Sequence, residues 1–171
     1  MSGEAAPLVV VMGVSGVGKS SVGRLLADRL GVEYADGDDF HSAANVAAMQ
    51  DGFALDDEQR RPWLDSVGDW LRQHGSSGGV ISCSALRRDY RDHLASMAPD
   101  AFFLHLVLDG AVARSRMEHR THFMPTALLE SQLDLLEPLE PDEHGTAVEA
   151  SRTPEEIAEE IAGLLAGGAS G

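Results

Sequence analysis

One lysine stands among the thirteen basic residues of this chain, and it sits in Gly13-Val14-Ser15-Gly16-Val17-Gly18-Lys19-Ser20. The octapeptide fits the phosphate-binding loop G-x-x-x-x-G-K-[ST] at every fixed position. Glycines let the backbone curl so that successive N–H groups face phosphate oxygens. A helix beginning at the end of the loop adds the positive end of its dipole. Lys19 is a compact charge able to reach β- and γ-phosphates, and Ser20 offers a hydroxyl to Mg²⁺. Every other cation is arginine, so lysine here marks a site that a forked guanidinium does not suit. Gly13 to Ser21 is therefore the expected nucleotide-binding segment.

A second chemical cluster is Asp36-Gly37-Asp38-Asp39-Phe40-His41. Three carboxylates in four positions repel unless a cation sits among them. Phosphoryl transfer needs a carboxylate to take or orient the proton of the attacking hydroxyl. Asp38 is the expected base, and Asp36 stands nearer the metal with Ser20. Three arginine groups follow: Arg60 and Arg61, then Arg87, Arg88 and Arg91, then Arg114, Arg116 and Arg120. Arg87 and Arg91 are four apart, which puts them on one helix face as a clamp for a planar carboxylate. Arg116 and Arg120 are similarly paired, in a segment that could close over the γ-phosphate.

The elements that must position these groups are legible as alternating apolar runs and helical stretches. Leu8 to Met12, Glu33 to Asp36, Val80 to Cys83, Phe102 to Leu108 and Ala147 to Ala150 read as strands. Ser20 to Leu30, Ala43 to Gln50, Glu58 to His74, Leu86 to Met97, Gly110 to Arg120 and Pro125 to Leu136 read as helices. Thr153 caps a last helix with Pro154 at its first position. Residues 1–7 and 167–171 are expected to be disordered, flanking one domain over 8–166 with a lid at about 114–126. Strands alternating with helices imply a parallel sheet covered on both faces, with ligands beyond the carboxyl ends of its strands. That rule gathers the phosphate loop, Asp36 to His41 and Ser82 to Arg91 at one edge.

At 171 residues the chain can bury a real core, with 43% hydrophobic and 5% aromatic residues. The net charge of −15 argues against a nucleic-acid partner. It also requires local concentration of cations where an anionic nucleotide binds. No apolar run is long enough to span a membrane, and the first residues do not read as a signal peptide. Cys83 is the sole cysteine, which excludes an intrachain disulfide; it reads as a packing residue. The expected home is the cytoplasm.

From Val9 to about Leu165 the chain resembles the bacterial gluconokinases, small P-loop kinases akin to shikimate and adenylate kinases. The phosphate loop alone identifies no family. Asp36 to His41, Arg60-Arg61-Pro62-Trp63-Leu64, Cys83-Ser84-Ala85-Leu86-Arg87, Tyr90-Arg91-Asp92, His122-Phe123-Met124 and Ser131-Gln132 with Leu136-Glu137 carry the likeness. The resemblance implies a P-loop NTPase fold with a five-stranded parallel sheet in the order 2-3-1-4-5, helices on both faces and a helical lid. It implies ATP with Mg²⁺, transfer to D-gluconate giving 6-phosphogluconate, and often a homodimer. Mapped onto this chain, Lys19, Asp38 and Arg120 are catalytic, and Arg116 and Arg120 join the loop on the nucleotide. Asp38, His41, Arg60, Arg87, Arg91 and Gln132 face the acceptor. Four departures stand out. Arg87 replaces a usual lysine, Gln59 a usual aspartate and Ser42 a common proline, and the stretch Arg120 to His122 is one residue short and lacks a glycine.

Two other readings compete. A small P-loop kinase could serve another acceptor, such as shikimate or a nucleoside monophosphate. A nucleotide-dependent switch would instead bind a protein partner and hydrolyse ATP slowly without an acceptor. The acceptor-side arginines favour a polyhydroxy acid.

Overall fold

A computed structural model of the chain describes residues 7–14, 17–53, 55–108, 112 and 126–169. Among them lie five strands, β1 (Leu8–Met12), β2 (Glu33–Asp36), β3 (Gly79–Ser82), β4 (Phe102–Val107) and β5 (Gly145–Glu149). All pair in parallel, in the order β2-β3-β1-β4-β5. This is the expected P-loop order. The central strand β1 is buried along its whole length, as an unbroken apolar run in a parallel sheet must be. Its side chains alternate between two cores. Val9 and Val11 join Val22 and Leu26 of α1 (Lys19–Leu30) and Ile157 and Ile161 of α6 (Pro154–Ala169). Leu8, Val10 and Met12 join Trp63, Val67 and Leu71 of α3 (Asp57–Gln73) and Leu94 of α4 (Arg88–Met97).

Two of the departures have local reasons. Ser42 is the N-cap of α2 (Ala43–Gln50), where its hydroxyl accepts from Asn45 N (3.1 Å). The proline's stiffness is replaced by a cap. Gln59 completes a capping box at the start of α3: its Oε1 accepts from Asp56 N (2.9 Å), and Asp56 Oδ1 accepts from Gln59 N (2.8 Å). Asn45 Nδ2 donates to Gln59 O (3.0 Å), tying α2 to α3 beside the site.

Most boundaries fall within one residue of expectation, and three differ by more. Helix α4 begins at Arg88 rather than Leu86, so Arg87 is its N-cap, with extended backbone (φ −101°, ψ 149°). Strand β5 begins two residues early, at Gly145. The last helix runs through Gly167 and Gly168 to Ala169, into the stretch expected to be disordered. Glycine weakens a helix without stopping it as proline does. The helix expected over 110–120 and the lid at 114–126 lie outside the described residues, apart from helical Val112 and from Thr126, which opens α5 (Thr126–Leu135).

After β2 the chain enters a single 3₁₀ turn, Gly37–Phe40, laid across the end of β3. A β-carbon on Gly37 would sit 2.5 Å from Ser82 O. Only glycine allows this approach. Gly37→Ala should therefore cost about 1–3 kcal/mol, the usual penalty of overpacking. Urea denaturation checks this, and turnover should fall with it because Asp38 is the next residue.

Candidate active site

The phosphate loop, the Asp36 to His41 turn and the segment after β3 meet at one sheet edge. Gly18 makes the first possible, since it caps α1 in the left-handed region (φ 93°, ψ 28°). Lys19 follows at once. Its Nζ donates to Gly13 O (2.8 Å) and Val14 O (3.3 Å) within its own loop. Burial lowers the Lys19 pKa, and the nearby Asp38 charge, followed by Cys83 and Asp36, opposes that shift. Ser82 anchors the helix start by donating from Oγ to Lys19 O (3.1 Å).

The carboxylates are not left to repel one another unrelieved, because Lys19 is the cation among them. Burial pushes the Asp38 carboxyl above its usual range; Lys19 pulls it back, while Asp36 and Asp39 push it further up. Asp36 caps the 3₁₀ turn, its Oδ1 accepting from Asp38 N (3.0 Å). Its other oxygen accepts from Ser20 Oγ (3.4 Å). Ser20 and Asp36, expected together at a metal, are thus neighbours. Hard oxygen donors of this kind suit Mg²⁺, which takes few protein ligands and leaves the remainder to phosphate and water. No cluster of three or more His, Cys, Asp or Glu suited to a metal occurs among the described residues.

The turn is fixed from α3. Trp63 Nε1 donates to Gly37 O (2.7 Å), and the Trp63 ring stacks on His41 with centroids 4.5 Å apart at 10°. Burial, then the Arg60 charge, lowers the His41 pKa to about 4, so its ring is neutral at pH 7. His41 Nδ1 is buried with no hydrogen-bond partner among the described residues. A neutral imidazole with one free nitrogen is suited to a hydroxyl.

Arg60 and Arg87 converge on Tyr90, a residue to which the sequence assigned no role. The Arg60 guanidinium lies 5.0 Å from the ring centroid and that of Arg87 5.8 Å. Arg60 Nη1 donates to the Tyr90 hydroxyl and Nη2 to Leu55 O (2.9 Å), while the hydroxyl donates to Asp57 Oδ1 (2.9 Å). Arg87 makes one outer ion pair, with Asp89 at 3.3 Å, and its Nε is buried without a partner among the described residues. Two guanidinium groups banked against one phenol form a ready site for an anion. The three-residue step from Arg87 to Tyr90 was a signal for this contact.

Arg91 requires correction. It is fully buried, so it does not form an open clamp with Arg87. Its Nε and Nη2 hold Glu143 at 2.7 and 3.0 Å, and its Nη1 donates to Ala85 O (3.0 Å) and Leu86 O (3.2 Å). A buried guanidinium needs such pairing, and its donors are spent on it. Gln132 lies half-buried on α5. Ser15, Gly16, Arg116 and Arg120 lie outside the described residues, as does the His122-Phe123-Met124 segment. Cys83 is buried and its thiol is pushed up to about 12, by burial first and by Asp38 next, as a packing residue should be.

Known proteins resemble the chain over most of its length. The shikimate kinase family profile matches residues 15–165. A gluconokinase of Gluconobacter oxydans is 41% identical over 156 residues, covering 90% of this chain and 88% of its own. A gluconokinase structure from Sinorhizobium meliloti superposes with a TM-score of 0.87 at 41% identity, covering 96% of this chain and 94% of that one. An unliganded sugar kinase from a Janibacter species superposes at 0.89 with 45% identity, covering 94% of both chains. With this edge, this sheet order and relatives of that identity over nearly its whole length, the chain belongs to the gluconokinase family of P-loop kinases.

Proposed function

We propose that this chain transfers the γ-phosphoryl group of ATP to the terminal hydroxyl of D-gluconate, giving 6-phosphogluconate and ADP. The observation that carries the reading is that Lys19 and Asp38 lie within reach of each other's charge, while Arg60, banked with Arg87 on Tyr90, acts on His41 of the same turn. One end of that site suits phosphate and the other suits a carboxylate. Gluconate bears a hydroxyl at one end and a carboxylate at the other.

In this mechanism the loop amides and Lys19 hold the β- and γ-phosphates, and Lys19 offsets charge growing toward the leaving oxygen. Asp38 accepts the proton of the acceptor hydroxyl as its oxygen attacks phosphorus. Its raised pKa makes it a better base than an exposed aspartate. Arg60 and Arg87 hold the carboxylate, and His41 Nδ1 takes a hydroxyl of the chain. Ser20 and Asp36 would hold Mg²⁺, which when bound neutralises phosphate charge. Arg116 and Arg120 are proposed to complete the phosphate site, and Gln132 the acceptor site. We also propose a cytoplasmic homodimer, which light scattering at twice the chain mass would support. No helix among the described residues is long and apolar enough to cross a membrane.

Product identity tests the reaction. Phosphorus NMR of the product should show a phosphate monoester on the terminal carbon of gluconate. Release of inorganic phosphate instead, with gluconate unmodified, would contradict it.

Acceptor recognition gives a separate expectation. Arg87→Ala should raise the gluconate KM at least about tenfold, the loss of one charge-assisted contact at about 1.5–3 kcal/mol. ATP affinity without acceptor should stay within about twofold. Equal weakening of both ligands would assign Arg87 to the nucleotide or the fold.

A further inference from the structure

The loop between β3 and α4 carries Arg87, and its backbone is held in a form it would not take alone. Ala85 has φ +40°, in the left-handed region that a side chain disfavours, and it is fully buried. Arg87 is the N-cap of α4 yet makes no side-chain cap bond. The capping acceptor comes instead from the far side of the sequence. Glu137 Oε1 accepts from Arg88 N (2.7 Å), and the Glu137 amide donates to Leu86 O (2.7 Å). The peptide groups on both sides of Arg87 are therefore tied to one residue. Arg91 adds a third tie through Ala85 O and Leu86 O, and Glu143, itself accepting from Glu140 N (2.9 Å), fixes Arg91.

We propose that Glu137, backed by the buried Arg91–Glu143 pair, is a positioning residue for the acceptor: it fixes the backbone of Arg87 and so the direction in which that guanidinium leaves the loop. The proposal rests on the reading of Arg87 as an acceptor ligand. Two features separate it from a general brace. The Arg87 guanidinium is already held over the Tyr90 ring (5.8 Å) and on Asp89 (3.3 Å), with Nε buried and unpartnered among the described residues, so it stands ready before any anion is present. Glu137 is exposed, so removing its carboxylate empties no core. Its effect should therefore fall on one ligand.

The test compares Glu137→Ala with Glu137→Gln, which keeps an oxygen acceptor for Arg88 N. Glu137→Ala should raise the gluconate KM about tenfold, with kcat and acceptor-free ATP affinity within about twofold. Glu137→Gln should restore most of that loss. Hydrogen exchange at the Arg88 amide of the free protein should speed up in the alanine variant only. That readout makes no reference to the acceptor. A wild type unresponsive to gluconate would thus overturn the functional reading while the exchange still decides the brace. An unchanged KM in folded Glu137→Ala, or equal loss of ATP affinity, or no recovery with glutamine, would overturn the proposal. If the alanine variant does not fold, Glu137→Asp, one methylene short of Arg88 N, is read in its place with the same outcomes.

Discussion

Lys19→Ala should lower turnover by about 10²- to 10³-fold, in line with the removal of one preorganised donor from a transition state. The protein should stay folded. Lys19 is held by two carbonyls of its own loop and is half-buried, so it is not a core residue. Its burial lowers its pKa, which means the fold carries a cost for keeping an ammonium there. A site that tolerates such a cost uses the charge. The measurement is kcat with gluconate and ATP at saturation, alongside a thermal melt. Turnover near wild type in a folded variant would remove Lys19 from the chemistry.

Asp38→Asn should lower kcat by about 10²- to 10⁴-fold, the range of a lost general base, and leave the gluconate KM within about twofold. An amide keeps the shape but takes no proton. The reverse pattern, a raised KM with unchanged kcat, would make Asp38 a positioning group and leave Asp36 as the next candidate base. A stability signature accompanies it. Burial raises the Asp38 pKa in the folded state above its unfolded value. Between those two values the folded chain holds a proton that the unfolded chain has lost, so stability falls as pH rises through that window. Above it, the cost of a buried carboxylate is fully present. Asparagine has no such cost. Asparagine also removes the charge that opposes the burial penalty of Lys19, so the signature of Asp38→Asn is the loss of that fall in stability across the window rather than a net gain at pH 7. The acid limb of wild-type kcat/KM, which reports the free enzyme, should lie above the ordinary carboxylate range.

Much of this was legible in the residues. The phosphate loop is a contiguous string whose function depends on backbone geometry, so it can be read directly. Strands β1 and β4 were plain because parallel strands covered on both faces become almost wholly apolar runs, broken in β4 only by the buried His105. The order of the strands was not in the local pattern and came only from family resemblance. Arg91 shows the limit most clearly. Its spacing from Arg87 suggested a shared helix face. Yet helix α4 starts after Arg87, so only Arg91 lies within it. Nor does spacing say which face turns inward, and a fully buried arginine is rare. Its partner Glu143 lies 52 residues away, in a loop that carried only proline and charge as signals. The roles of Trp63 and Tyr90 were hidden for the same reason. Each acts by bridging elements distant in sequence, Trp63 from α3 to Gly37 and Tyr90 from α4 to Arg60. Gly167 and Gly168 suggested an end to the last helix, where nothing in the chain forces one.

The central claim is that a polyhydroxy acid is the acceptor of the phosphoryl group. The most direct test is one coupled assay of ADP release with ATP and Mg²⁺, run without acceptor and then with gluconate, shikimate, nucleoside monophosphates and other sugar acids. Strong stimulation by gluconate, well above shikimate and the nucleotides, is the predicted result. A slow rate indifferent to every acceptor, or stimulation by shikimate or a nucleoside monophosphate above gluconate, would contradict it.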